Sequence, residues 1–163
     1  TTMLASETQA ITDYLRGIYL TRYGASTIKE HMADTRDTLC YATNDNQSAV
    51  IQMLEQEADL AIVIGGRKSS NSSHLVELCE HKLPTYFIES QEDILSDDQI
   101  RGFNWQTHQE YVKEGYLPAK DKISILITSG ASCPDAIVES VIQKLSSFFS
   151  SEARLEELKA EWI

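Results

Sequence analysis

Leu60-Ala61-Ile62-Val63-Ile64-Gly65-Gly66 is the stretch on which the fold turns. An unbroken apolar run this short predicts a β-strand covered on both faces, the habit of strands in a parallel sheet, and the paired glycines stop it. Working outward, the spacing predicts a helix from about Asn46 to Glu57 that buries Ala49, Val50, Met53 and Leu54. After the glycines come a helix over 72–81, with Leu75 and Leu78 inward, and a short strand Thr85-Tyr86-Phe87-Ile88 behind Pro84. A further strand, Ile123-Ser124-Ile125-Leu126-Ile127, leads to a helix from about Pro134. Its inward stripe is Ile137, Val138, Val141, Ile142, Leu145 and Phe148. Strands alternating with helices imply parallel strands joined by right-handed crossovers, so the expected fold is α/β, a small parallel sheet flanked by helices.

The flanks are less regular. Ser6 with Gln9 reads as a capping box opening a helix, along which Ile11, Tyr14, Leu15, Ile18 and Tyr19 recur at helical spacing and predict a buried face. Gly24 is placed to end that helix, and 25–38 form a polar connection. Residues 89–120 are first acidic, then polar and aromatic, and are expected to form a helix-containing insertion. A charged helix over about 151–161 closes the chain.

Composition narrows the function. The chain has 163 residues, with 25 Asp and Glu against 14 Lys and Arg, for a net charge of −11. That balance argues against nucleic acid or an anionic membrane surface as a partner, since either needs a basic face. No apolar run approaches the roughly 20 residues of a membrane span. An odd count of 3 cysteines is no disulfide framework and points to a reducing compartment. The opening Thr1-Thr2-Met3-Leu4 has no initiator Met, which either processing or an internal position in a longer protein would explain.

Ligands of parallel sheets gather at the carboxyl ends of the strands, where loops feed helix N-termini. Three loops qualify: Leu39–Thr43, Gly65–Asn71 and Thr128–Pro134. Free N–H groups at helix starts, with Ser and Asn side chains as neutral donors, can grip phosphate oxygens even in an acidic protein. For any one loop an ordinary helix cap is the simpler account; three on one edge favour a ligand. Neither a Walker phosphate loop nor a GxGxxG fingerprint is present. Cys79 falls on a predicted inward stripe and reads as a structural thiol. Cys133 starts a helix and is either reactive or a small capping residue. Cys40 precedes a helix whose dipole favours thiolate. His31, His74, His81 and His108 show no paired-ligand spacing and read as surface or capping histidines.

The same loops carry a family resemblance. Thr38-Leu39-Cys40-Tyr41-Ala42-Thr43 with Gln47, the Ser-Ser-Asn run within Gly65–Leu75, the Gly-Ala-Ser run within Thr128–Asp135, and Thr1-Thr2 stand in order along the chain. Together they resemble the C-terminal part of the 4-hydroxy-3-methylbut-2-enyl diphosphate reductases, last enzymes of the non-mevalonate isoprenoid pathway. The 89–120 insertion resembles the plant and cyanobacterial branch. The resemblance implies an oxidoreductase with a [4Fe–4S] cluster that removes the hydroxyl of an allylic diphosphate, giving isopentenyl and dimethylallyl diphosphate. It implies Cys40 as one of three cluster ligands and Thr43 as an active-site threonine. It implies Thr1, Ser69, Ser70, Asn71 and Ser132 as residues that hold the diphosphate or order the substrate and its water. Partners would be a reduced electron carrier, ferredoxin or flavodoxin, and the N-terminal remainder of the same protein, in the cytoplasm or a plastid stroma.

The departures matter too. Two cluster cysteines, the diphosphate-binding histidines and a proton-donating glutamate of the family lie upstream of Thr1. Cys79 and Cys133 do not match ligand positions, and Asn46 stands where the family usually has Arg. The chain alone is therefore expected to be inactive and to hold no catalytic cluster. The implied organisation is one lobe of a multi-lobed pseudo-repeat enzyme. Residues 1–37 are a trailing helix and connection of a preceding lobe, 38–150 the α/β lobe with its insertion at 89–120, and 151–163 a tail helix. The alternative is a non-redox α/β module that binds a phosphorylated metabolite.

Overall fold

The computed structural model describes residues 5–33 and 41–149. Thr1, Cys40 and the expected tail helix lie outside the described residues. Five α-helices are described, α1 (Ala5–Tyr23), α2 (Ile28–His31), α3 (Tyr41–Met53), α4 (Ser70–Glu80) and α5 (Asp135–Ser147). The strands are β1 (Leu60–Ile64), β2 (Thr85–Ile88), β3 (Gln99–Asn104), β4 (Gln109–Glu114) and β5 (Ile125–Ser129).

The strands β2-β1-β5 form a parallel sheet with β1 at its centre. Ile62 pairs with Tyr86 on one side and Ile127 on the other. Every β1 residue is buried, as the unbroken apolar run requires. Side chains alternate across a strand, so β1 feeds two cores. Leu60, Ile62 and Ile64 pack with Tyr86, Ile88, Val141 and Leu145, which brings α5 onto one face. Ala61 and Val63 pack with Val50, Leu54, Leu75, Val76, Cys79 and Phe87, which brings α3 and α4 onto the other. The expected α/β class, a small parallel sheet with helices on both faces, is the observed one.

Several local expectations need correction. The insertion is no helical segment: apart from a 3-10 turn at Gln91–Asp93 it is the antiparallel hairpin β3–β4. Its pattern has period two, with Ile100 and Gly102 buried and Arg101 and Phe103 half-buried between them. Asn104 Oδ1 accepts from the amides of Gln106 and Thr107 at 3.0 and 2.8 Å, and His108 takes φ +56, which together reverse the chain. Tyr86 and Phe87 of the sheet meet Tyr116 and Phe103 edge-on and seat the hairpin. Helix α3 runs over 41–53 instead of 46–57, so Tyr41–Thr43 are helical and not a loop. Of its expected inward residues Val50 and Leu54 are buried, but Met53 is exposed and so is Ala49. Strand β5 begins two positions later than expected, at Ile125.

Ser6 lies inside α1 rather than at its cap. Gly24, at φ +78, does end that helix, its amide donating to Leu20 O at 2.9 Å. The face of α1 is not buried: Ile11 is 50%, Tyr14 71%, Leu15 42% and Ile18 46% exposed. Among the described residues no part of the sheet or its flanking helices covers this stripe, and its periodicity has no matching core there. No described helix is long and apolar enough to cross a membrane.

Candidate functional site

The carboxyl ends of β1 and β5 lie side by side, because Gly130 N donates to Ile64 O at 2.9 Å just past the last β5 pair. Two of the sequence-predicted loops therefore meet. After β1, Ser69 turns the chain into α4: its backbone is extended, and its Oγ accepts from Ser72 N at 3.3 Å. Its hydroxyl is thus engaged as a helix cap, a role worth about 0.5–2 kcal/mol. Ser70 opens the helix with an exposed side chain, and Asn71 follows, half-buried. Both amide atoms of Asn71 are buried without a hydrogen-bond partner.

After β5, Cys133 N donates to Gly130 O at 2.8 Å, closing a tight turn that leaves Ser132 exposed. Pro134 then caps α5 without a side-chain bond, in the extended conformation that proline favours. Helix α3 joins the edge through Asn46, whose Nδ2 donates to Ser129 O at 2.7 Å. This residue, where the resemblance leads one to expect Arg, therefore ties α3 to the end of β5. Thr43 lies half-buried one turn earlier in the same helix. The N-termini of α4 and α5 thus open on one edge, a setting that favours an anion.

The nearby Arg67 is already paired. Arg67 Nε stands 3.0 Å from Glu89 Oε2, its Nη1 binds Glu110, and its guanidinium lies 5.5 Å from the Phe103 ring centre. Glu110 is the main cause of its raised pKa, despite some opposing desolvation. Arg67 therefore clamps the hairpin over the β1–α4 loop. Beside it a groove of about 530 Å³ is lined by Lys68, Ser70, His74, Trp105 and His108. A second hollow, of about 600 Å³, lies around Asp59, Lys82 and Lys120 and contains none of the predicted site residues.

The two described cysteines are poor ligands. Cys79 is fully buried, and burial, with a smaller contribution from Glu80, pushes its thiol up from 9.0 to about 11. Cys133 is also raised, by burial first and Asp135 second. Among the described residues no group of three His, Cys, Asp or Glu side chains stands close enough to hold a metal. The rise at Cys79 cuts its thiolate fraction about a hundredfold near neutral pH. In the folded chain Cys79 should resist iodoacetamide and react only after guanidinium unfolding; rapid labelling at native conditions, read by peptide mass, would contradict its burial.

Comparison with known proteins decides the family: the family model described as LytB protein matches residues 1–146. The chain belongs to the LytB family. The 4-hydroxy-3-methylbut-2-enyl diphosphate reductase of Crocosphaera subtropica is 39% identical over 146 residues, covering 89% of this chain and 36% of the relative. The enzyme of the same name from a Synechococcus species is 40% identical over 146 residues, with 89% and 36% covered. A solved structure of (E)-4-hydroxy-3-methyl-but-2-enyl diphosphate reductase, described as the terminal enzyme of the non-mevalonate pathway, is 30% identical with a TM-score of 0.47. That likeness covers 68% of this chain and 32% of the other. The chain thus spans 36% of the length of these curated LytB relatives.

Within this LytB chain, Ser69, Ser70, Asn71 and Ser132 come together at one sheet edge, with Thr43 on the helix that Asn46 ties to it. Thr1 and Cys40 lie outside the described residues. Ser72 and Gln47, which the sequence marks only as members of longer motifs, are 1% and 3% exposed, and their Oγ and Nε2 have no partner. The Arg67 clamp is not foreshadowed by the sequence pattern. A polar residue inside an otherwise apolar helical stripe was the available signal for both Gln47 and Ser72.

Proposed function

We propose that these residues are the C-terminal part of an iron–sulfur reductase that converts 4-hydroxy-3-methylbut-2-enyl diphosphate to isopentenyl and dimethylallyl diphosphate. The observation that carries this is the LytB match over residues 1–146, supported by the loops bearing Ser70, Asn71 and Ser132 lying side by side at one sheet edge. Ser69, Ser70, Asn71 and Ser132, with Thr1, would hold the diphosphate through neutral donors and helix ends. Thr43 would stand near the reacting centre, and Cys40 would supply one ligand of a [4Fe–4S] cluster. The described residues do not themselves fit such a cluster, since they offer no three-ligand group and both described thiols are raised. The remaining ligands would come from an N-terminal remainder of the protein, and the electrons from a reduced ferredoxin or flavodoxin in the cytoplasm or a plastid stroma.

The domain reading has its own support. Residues 1–37 would belong to a preceding lobe, and the exposed Ile11, Tyr14, Leu15 and Ile18 stripe of α1 is the apolar face such a lobe would cover. Residues 38–150 would form the lobe with its insertion, and 151–163 a tail.

Calorimetry of the chain with inorganic pyrophosphate tests the diphosphate half. Binding is expected, and Asn71→Ala should weaken it about tenfold, the value of one hydrogen bond to a charged oxygen. No binding by the parent, or no change in the variant, would contradict it. Iron and sulfide reconstitution of the chain alone should yield far less than one cluster per chain; a stoichiometric cluster would refute the shared-ligand account.

A further inference from the structure

Ser72 occupies an unusual position. It lies on the inward face of α4, 1% exposed, and its Oγ has no hydrogen-bond partner. Gly65 follows the last residue of β1 and Gly130 the last residue of β5, and the Ser72 hydroxyl sits against both. A Cβ on either glycine would overlap that Oγ. From Gly65 the Cβ would also stand only 2.9 Å from Ser72 Cβ, whereas from Gly130 it would stand 3.7 Å away, an ordinary contact. Both glycines are absent from the positive-φ residues, which include Gly24 and Gly115, so space and not backbone conformation excludes a side chain at 65 and 130.

A buried hydroxyl without a partner lowers stability, so stability does not account for the group. We propose that Ser72 is a positioning residue for the diphosphate site. Its hydroxyl is the spacer that sets the separation between the β1–α4 loop, which carries Asn71, and the β5–α5 loop, which carries Ser132. Asn71 Nδ2 would be 3.8 Å from a Cβ on Gly130, so the spacer and the candidate ligand share the same slot. A change of a few tenths of an ångström there moves the donors of one loop relative to the other. The inference rests on the diphosphate reading of this edge.

Two properties of the variants separate a spacer from simple packing. Ser72→Ala removes an unsatisfied polar atom and loosens the slot, so affinity should fall while the thermal midpoint holds or rises. Gly130→Ala should clash with the native serine but not with alanine at 72, because the remaining Cβ–Cβ distance is 3.7 Å. Gly65→Ala should gain nothing from Ser72→Ala, because the 2.9 Å clash with Cβ persists.

The test is calorimetry of the 163-residue chain with inorganic pyrophosphate, paired with thermal midpoints without ligand. Ser72→Ala should raise Kd about threefold and Gly130→Ala about tenfold, with the Ser72→Ala/Gly130→Ala pair within about twofold of the parent. The Ser72→Ala/Gly65→Ala pair should stay weakened. If Gly130→Ala does not fold, recovery of folding and of parental Kd in the double variant supports the same conclusion. A Ser72→Ala variant with lowered midpoint and unchanged Kd overturns the positioning role. So does a Ser72→Ala/Gly130→Ala pair that fails to regain the parental Kd. A parent that binds no pyrophosphate instead removes the diphosphate reading itself, and the inference with it.

Discussion

Replacing Cys40 by serine is expected to abolish both the iron–sulfur absorbance and the diphosphate-dependent oxidation of a reduced carrier in the full-length protein. Clusters are held by thiolates, and a serine hydroxyl does not ionise at neutral pH to replace one. The informative control is Cys79→Ala. Cys79 is fully buried and its thiol is raised to about 11, so it is unsuited to coordination. Its loss should lower stability by a small cavity cost and leave the absorbance intact. Full absorbance in Cys40→Ser, or its loss in Cys79→Ala, would show that the ligand has been assigned to the wrong cysteine.

The second large effect concerns the fold. Ile62→Ala should destabilise the chain by about 2–5 kcal/mol, the range for truncating a buried aliphatic side chain. Ile62 is fully buried at the middle of β1, with strands on both sides and α5 packed over its face. Against a total stability of about 5–15 kcal/mol, that loss should lower the thermal midpoint by on the order of 10 °C. Ile11→Ala, at a position 50% exposed on α1, should change this chain's midpoint little. In the full-length protein the same change should cost more, if a preceding lobe covers that face. Equal small effects in both would remove the support that α1 lends to the domain reading.

The contrast between Ile62 and Ile11 also shows how far the sequence could be read. Period and length identify β1, β2, α4 and α5 because each buries its apolar residues within this chain, so pattern and environment agree. The stripe of α1 has the right period but no partner among the described residues, and periodicity carries no information about what a face packs against. The hairpin was misread because its strands are short and polar. All of β4 is exposed, and its position depends on Arg67, Phe103 and Tyr116 meeting distant residues. The start of α3 is not marked by an apolar stripe, since Ala42 to Asn46 are exposed or half-buried; Asn46 ties this turn to Ser129 O.

For the site, small polar residues before predicted helices mark two loops, after β1 and after β5, that the structure brings to one sheet edge, and the Ser69 cap and the exposed Ser70 and Ser132 stand where helix starts place them. The spacer role of Ser72 was not legible. It depends on Gly65 and Gly130, 65 positions apart in the chain, meeting one hydroxyl. Only the parallel register of β1 with β5 brings those glycines together.

The central claim is that this chain is the C-terminal part of a reductase acting on an allylic diphosphate. Its most direct test is an anaerobic assay of the full-length protein with a reduced viologen carrier and 4-hydroxy-3-methylbut-2-enyl diphosphate, with products separated by mass spectrometry. Isopentenyl and dimethylallyl diphosphate formed in step with carrier oxidation is the predicted result. Pyrophosphate binding without carrier oxidation or either product, in a protein that carries its full complement of iron, would contradict it.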